Sequence, residues 1–483
     1  MKYTPTIGLE IHAELKTKSK MFCSSLNDPL EHHPNVNVCP ICMGHPGTLP
    51  VANKQAIAMV QKVGLALNCK IVEHSKFDRK NYFYPDLPKG YQISQYDMPL
   101  CENGYLEVDG KKIRITRIHL EEDTGRLIHP EGKDYSLIDF NRAGVPLMEL
   151  VTEPDITTSI EARRFAEEFQ LILRYLGVSN ANMEKGEMRA EPNISIKKPG
   201  AKQLGTKVEI KNLNSFRSLE RATDFEIKRQ EEEIENGNKI VQETRGWHDT
   251  KQITFSQREK EEAHDYRYFP EPDIPTLSFS KKEIEALRPE IPELPAQRRK
   301  RLLDEYKISP EDTEMFVRNK DLGEFFEQAV SELGPNIPHK KLEKLIQLTA
   351  NYIASDLQGL LKSKDVEGED FLITPENFAE LVNFIAEGTI SSAAAKEVLR
   401  EMFAKGADPS HIIEEKGLTQ VSDADALDKI VERVIAQNKK AVEDIKKGKT
   451  TVIKFLVGKV MAESKGQANP QVAEKLLVEK LSR

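Results

Sequence analysis

Apolar and polar positions alternate strictly near the start of the chain, with Ile7, Leu9, Ile11 and Ala13 set against Gly8, Glu10, His12 and Glu14. A period of two belongs to a strand with one buried face. The aliphatic residues therefore point to a core, and Glu10 and His12 leave together from the other side. The same period returns at Ile113 and Ile115, beside Arg114 and Thr116, and at Val208 and Ile210, between Lys207, Glu209 and Lys211. Apolar spacings of three and four interrupt these strands at 55–67, 160–176 and 219–236, which predicts three amphipathic helices. Turn residues at Pro85-Asp86 and Asn103-Gly104 predict hairpins. The pattern is that of an α+β domain built on antiparallel sheet.

The pattern then changes. Phe269-Pro270-Glu271-Pro272-Asp273-Ile274-Pro275 and Pro289-Glu290-Ile291-Pro292-Glu293-Leu294-Pro295 are punctuated by proline, which fixes φ and removes backbone donors. Beyond Ala296 the periodicity is helical nearly to the end, with a further break at Gly406 to Pro409. Three domains are expected, at 1–293, 294–408 and 409–483, consistent with a chain of 483 residues that is too long for one core.

Composition narrows the setting. The chain is 39% hydrophobic and 31% charged, and no apolar run approaches the roughly 20 residues that cross a bilayer. Met1-Lys2-Tyr3-Thr4-Pro5 has no apolar stretch of the secretory kind, and five cysteines are few for a disulfide framework, so a reducing, cytoplasmic setting is expected. The net charge of -8 does not announce a nucleic-acid partner. The stretch from Lys439 to Lys465 is locally basic, however. Lys439, Lys440, Lys446, Lys447, Lys449, Lys454 and Lys459 outnumber Glu443, Asp444 and Glu463, a patch suited to phosphate.

Several constellations can carry chemistry. Glu10 and His12 offer a carboxylate and an imidazole from one rigid strand face, which suits a divalent metal; a solvated strand face with a chance histidine gives the same pattern. His119-Leu120-Glu121-Glu122-Asp123 sets three acids in a row, which need a metal, an arginine or water to neutralise them. Glu149 lies inside the apolar run Leu147 to Val151, where a carboxylate is costly unless paired or metal-bound. Arg142, just before Gly144 and Pro146, suits a phosphate or a structural carboxylate. Lys76 to Gln92 interleaves Lys80 and Lys89 with Tyr82, Phe83 and Tyr84, a mixture able to bind phosphate and stack a base. Lys207 and Lys211 flank Glu209 on one strand face. There is no GxxxxGK[ST] and no GxGxxG, so any nucleotide is held without the common cradles. Cys39-Pro40-Ile41-Cys42 is a CxxC with Cys23 upstream, a set short of tetrahedral zinc unless His45 completes it. Cys69 and Cys101 read as packed thiols.

Taken in order, Ile7-Gly8-Leu9-Glu10-Ile11-His12, Asp78-Arg79-Lys80-Asn81-Tyr82-Phe83-Tyr84-Pro85-Asp86, His119-Leu120-Glu121-Glu122-Asp123, Gly205-Thr206-Lys207-Val208-Glu209-Ile210-Lys211-Asn212-Leu213-Asn214-Ser215 and Asp265-Tyr266-Arg267-Tyr268-Phe269-Pro270-Glu271-Pro272-Asp273 resemble the signature stretches of the GatB family, the tRNA-handling subunits of the tRNA-dependent amidotransferases. The segment Gly448 to Pro470 is similar to the small YqeY-related domain that ends that family. The resemblance covers the whole chain. It implies a cradle-like N-terminal domain, a helical domain and an all-helical tail. It implies a ligase that uses ATP and Mg²⁺ to phosphorylate the side-chain carboxylate of glutamyl-tRNA(Gln) or aspartyl-tRNA(Asn), followed by amidation. The ammonia would come from an amidase partner, in a heterotrimer with a third, small clamp-like protein. It further implies Glu10, His12, Glu122 and Glu149 as metal ligands, with Arg142, Lys80 and Lys89 as phosphate contacts, supported by Lys207 and Lys211. Tyr82 and Tyr84 would border the nucleotide or the terminal adenosine, and the tail lysines would meet tRNA.

Two departures stand out. Zinc-binding members carry Cys-x-Cys before the CxxC, whereas Cys23-Ser24-Ser25 keeps only the first cysteine. Many members read Arg-Cys-Asp where this chain has Arg189-Ala190-Glu191. Two other readings compete with the ligase: a tRNA-holding scaffold, which needs no Glu/His cluster, and a metal-dependent nuclease.

Overall fold

The computed structural model describes residues 2–259, 266–334, 337–361, 371–420, 424–446, 452–464, 468 and 470–482. The chain forms two compact units, Met1–Pro295 and Ala296–Arg483. The first is built on a nine-stranded sheet. Its strands run in the order Ile253–Glu259, Glu243–His248, Val208–Lys211, Met188–Lys197, Thr4–Glu14, Pro146–Thr152, Lys111–Glu122, Cys101–Val108 and Lys70–Ile71. The opening strand thus becomes the central one, antiparallel to both neighbours. Within the described sheet one pair, Val208–Lys211 with Glu243–His248, runs parallel.

One face of this sheet is apolar and covered by helices. Ile7, Leu9, Ile11, Ile113, Ile115 and Ile194 pack into one core with Val60 and Val63 of helix Lys54–Ala66, Phe165 and Phe169 of helix Ser159–Tyr175, and Leu219 of helix Phe216–Glu235. Fully burying an aliphatic side chain of this size contributes roughly 1.5–3 kcal/mol, so the alternation read from the sequence fixes which face is core. Each helix begins where a polar residue caps it: the side chains of Asn53, Thr158 and Ser215 accept hydrogen bonds from the first free backbone N–H groups. The opposite face is left to carry Glu10, His12 and their neighbours.

The hairpins differ in one place from the sequence expectation. Pro85-Asp86 does lie in the loop that joins the antiparallel strands Asp78–Asn81 and Tyr91–Ser94. Asn103-Gly104, by contrast, sits inside the strand Cys101–Val108, and the chain reverses at Asp109-Gly110, with φ of 50° and 76°. Two successive positive φ values match the twist of a two-residue hairpin, and Asp-Gly supplies them there. Gly104 is needed for another reason: a Cβ on it would lie 2.7 Å from the Leu67 carbonyl oxygen. The proline-punctuated stretches, expected to be extended, are so only in part: Phe269–Pro270 is a strand and 291–294 has no regular structure, but the chain turns at 272–274 and Arg288–Glu290 is a 3-10 helix. Phe269–Pro270 lies at the edge of a three-stranded sheet against Asp78–Asn81, where a missing N–H does no harm. Arg79 Nε donates to Glu271 Oε2 at 2.6 Å and pins it.

The second unit is helical in its described parts, as the periodicity beyond Ala296 predicts. Its last four helices, Ala424–Gln437, Lys439–Lys446, Ile453–Glu463 and Pro470–Ser482, bury Leu427, Val431, Leu456, Val460 and Leu477 in a core of their own.

Candidate metal centre

The register of the central strands assembles the site. His12 stands opposite Glu149 on one side and Arg189 on the other, and Glu149 stands opposite His119 on the next strand. Residues directly opposite in a sheet have their side chains side by side, so this is a row of four polar groups across four strands. Residues two positions along share the same face, which adds Glu10, Glu121 and Glu191.

The distances make this row a cluster. His12 Nε2 lies 3.2 Å from Glu149 Oε2 and 3.8 Å from Glu121 Oε1. His119 Nε2 lies 3.3 Å from Glu149 Oε2 and 3.6 Å from Glu121 Oε2. Two ligand triplets, Glu10–His12–Glu149 and His119–Glu121–Glu149, each have donor atoms within 4.8 Å of one another and share Glu149. A third triplet, Glu10–Glu191–Glu209, adjoins them through Glu10, with Lys211 Nζ 2.7 Å from Glu191 and 3.7 Å from Glu209.

The electrostatics show what the cluster wants. Burial opposes ionisation of Glu149, yet the two imidazoles hold its carboxyl well below the usual carboxylate range. Burial opposes protonation of His119, but Glu149 and Glu121 raise its pKa to about 9. His12 is raised in the same way, and burial together with Glu149 raises Glu10. Positive charge on the histidines thus compensates the acids. A divalent cation is the other way to supply that charge, and it would release the imidazole protons as it bound. His12 Nδ1 is buried without a hydrogen-bond partner, so the ring is held by its neighbours rather than by a bond of its own.

Not every residue expected here is brought here. Glu122 follows Glu121 on the strand and therefore leaves from the other face. Its carboxylate meets Lys89 Nζ at 2.6 Å and accepts from the Ile93 N–H at 3.0 Å, apart from the Glu10–His12–Glu149 triplet. In its place the fold brings His119 and Glu121, which repeat the i, i+2 pattern of Glu10 and His12; that repetition was the available sequence signal. Lys80 does reach the cluster, held among Tyr82 and Tyr266 with its Nζ 5.9 Å and 4.9 Å from their ring centroids. Burial would lower its pKa, but Tyr268, Glu121 and Glu149 keep it raised. Tyr268 stacks on Tyr96 at 4.3 Å, and Tyr84 is exposed. Arg142 does not project freely from its loop. Its Nε donates to the Thr124 carbonyl at 3.0 Å and its Nη2 to the Gly125 carbonyl at 2.8 Å, beside Asp123. Lys207 is exposed immediately before its strand. In the tail, Lys439, Lys440 and Lys454 are exposed and Lys446 ends its helix, while Lys447 and Lys449 lie outside the described residues.

Cys23, Cys39 and Cys42 form a separate triplet, with sulfurs within 4.8 Å of one another. A closed tetrahedral zinc site needs four donors, and among the described residues this group stops at three, although His45 lines the same cavity. Cys69 and Cys101 are buried free thiols.

Comparison with known proteins decides the family. Residues 5–285 match the GatB/GatE catalytic domain and residues 324–481 match the GatB domain. The GatB subunit of the aspartyl/glutamyl-tRNA(Asn/Gln) amidotransferase of Carboxydothermus hydrogenoformans is 46% identical, covering 100% of this chain and 99% of the relative. This chain belongs to the GatB family. The corresponding proteins of Caldicellulosiruptor saccharolyticus and Thermotoga petrophila are each 47% identical, over 100% and 99% of this chain. The matched GatB/GatE catalytic domain contains every residue of the Glu/His cluster, and the second GatB match contains the basic tail. No helix among the described residues is long and apolar enough to cross a membrane.

Proposed function

We propose that this chain is the carboxylate-activating member of a tRNA-dependent amidotransferase, acting on glutamyl-tRNA(Gln), aspartyl-tRNA(Asn) or both. The observation that carries the reading is the largely buried cross-strand cluster of Glu10, His12 and Glu149 with His119 and Glu121, on the sheet face opposite the helices. A carboxylate cannot be amidated directly, because its leaving group would be oxide. One carboxylate oxygen attacks the γ-phosphorus of ATP, and the bond to the β-γ bridging oxygen breaks to release ADP. Ammonia then attacks the acyl carbon of the mixed anhydride, and inorganic phosphate leaves with the electron pair of the C–O bond.

Glu10, His12, Glu121, Glu149 and His119 would hold Mg²⁺, which when bound offsets the charge of the nucleotide phosphates. Lys80 adds a fixed positive charge beside the cluster, held by the half-buried rings of Tyr82 and Tyr266 with Tyr268 close by. Arg142, anchored on Thr124 and Gly125, orders the loop that ends the Lys111–Glu122 strand and leaves part of its guanidinium for a phosphate. Lys89, Lys207 and Lys211 are further phosphate contacts in this reading. An amidase partner supplies ammonia, a small third protein completes the assembly, and the tail holds tRNA. A scaffold without catalysis would need no such cluster.

The test is Glu149→Gln in the assembled enzyme, with both mischarged tRNAs as substrates. ATP hydrolysis and amide formation should fall by on the order of 100-fold or more while tRNA binding persists. Full activity in that variant would sink the assignment, and cleavage of intact tRNA by the unaltered protein would favour the nuclease.

A further inference from the structure

The cysteine triplet has a chemistry that the ligase reaction does not use. Cys42 is 4% exposed, and its sulfur faces two donors and one acceptor, the Cys39 carbonyl at 3.4 Å. The Cys39 backbone N–H donates to it at 3.1 Å, and the ammonium of Lys20, itself fully buried, faces it at 3.9 Å. Lys20 also donates to the Phe140 carbonyl at 3.2 Å, which fixes its direction. Burial pushes the Lys20 pKa down, and of the acidic groups near it that oppose this, Cys42 is the foremost, ahead of Cys23, Cys39 and Glu122, so the lysine and the Cys42 sulfur favour each other's charged forms. The Cys23 sulfur, from a separate segment, lies within 4.8 Å of the same sulfur. The cluster opens onto a cavity of about 60 Å³, enough for a few water-sized molecules, walled by Cys23, Cys42, Lys89 and Glu122. The turn after Cys42 runs close against Lys89: a Cβ on Gly44 would lie 2.5 Å from Lys89 Cγ.

We propose that Cys42 is a nucleophilic thiolate that forms a disulfide with Cys23 on exposure to a low-molecular-weight disulfide, and that this bridge acts on the Lys89–Glu122 pair through the Gly44 turn. The chain therefore carries a thiol-modification site where a closed zinc site would need a fourth donor. The Cys42 sulfur attacks one sulfur of the small disulfide, forms a mixed disulfide and expels one equivalent of thiolate. The Cys23 sulfur, losing its proton to that thiolate, then attacks Cys42 and expels the second equivalent. Two protein thiols are oxidised and one disulfide is reduced to two thiols. The coupling to Lys89 rests on the function proposed above; the thiol chemistry does not.

The experiment uses the full chain, alone and in the assembled amidotransferase, with glutathione disulfide as the probe and peptide mass mapping as the readout. In the reduced protein Cys42 should alkylate at least about tenfold faster than the buried Cys69 and Cys101. Oxidation should join Cys23 to Cys42 with loss of two mass units and lower amidation at least about twofold, reversed by dithiothreitol. Cys23→Ser should stop the reaction at the mixed disulfide and keep the activity of the reduced enzyme. Lys20→Met should slow Cys42 alkylation; should that variant not fold, the comparison of Cys42 with Cys101 in the unaltered protein decides alone. Cys42 reacting no faster than Cys101, or one zinc per chain in the purified protein, overturns the thiolate site. A Cys23–Cys42 bridge that leaves amidation unchanged in an active enzyme overturns the coupling only, and an inactive reduced enzyme points instead to failure of the ligase reading.

Discussion

Two adjacent glutamates end the Lys111–Glu122 strand, and the pleat sends them to opposite sides. Glu121 joins the two histidines, while Glu122 is locked to Lys89. Their substitutions should therefore fail differently. Glu121→Gln should abolish the rise in melting temperature that Mg²⁺ gives the unaltered protein and cost on the order of 100-fold in ATP hydrolysis. Glu122→Gln should keep the Mg²⁺-induced rise but destabilise the protein by about 1–3 kcal/mol, because it leaves the half-buried Lys89 ammonium beside a neutral partner. A thermal melt with and without Mg²⁺ reads both, and equal loss of the Mg²⁺ effect would contradict the two-face assignment. From sequence, the face shared by Glu10 and His12 was legible, because alternation needs only local residues. The choice between Glu121 and Glu122 was not. It depends on Glu149 standing opposite His119, a register between strands that neither segment encodes alone. The anchoring of Arg142 was hidden for the same reason, since its acceptors are carbonyls that any residue offers.

At the scale of elements, the site is only as rigid as the sheet beneath it. Leu9 lies between Glu10 and Gly8 with its side chain on the helix-covered face, 1% exposed. Leu9→Ala should cost about 2–5 kcal/mol, read as a lower urea midpoint with an unchanged slope. Gly104→Ala should destabilise by about 1–3 kcal/mol, since its methyl would overlap the Cys69 sulfur and the Leu67 carbonyl. Native stability in both variants would mean that these contacts are not what holds the strands. The Asn103-Gly104 pair also shows where element reading loses its grip. Asn-Gly is a strong turn signal in isolation, but six residues on Asp109-Gly110 offers the same chemistry at the point where the two strands can pair fully. The helices were easier to read, since each has an apolar stripe and a polar cap within its own sequence.

For the whole molecule, the division of labour between the units is itself testable. The Glu/His cluster lies wholly within Met1–Pro295, where it is supported by strands and helices of that unit. The last four helices have a separate core and present Lys439, Lys440 and Lys454 on their exposed surface. Lysines of this kind contribute to nucleic-acid affinity through released counterions, so their effect should be uniform across tRNA sequences and should fade with salt. Ending the chain before Pro409 should accordingly weaken tRNA binding by about tenfold at moderate salt and flatten its salt dependence by about one to two units of slope. The same truncation should leave the Mg²⁺-induced thermal rise intact, because no cluster residue is removed. Filter binding across a salt series, paired with the thermal assay, separates the two effects. Unchanged tRNA affinity would place the tRNA contact elsewhere in the molecule, and loss of the Mg²⁺ response would show that the first unit depends on the tail for its fold.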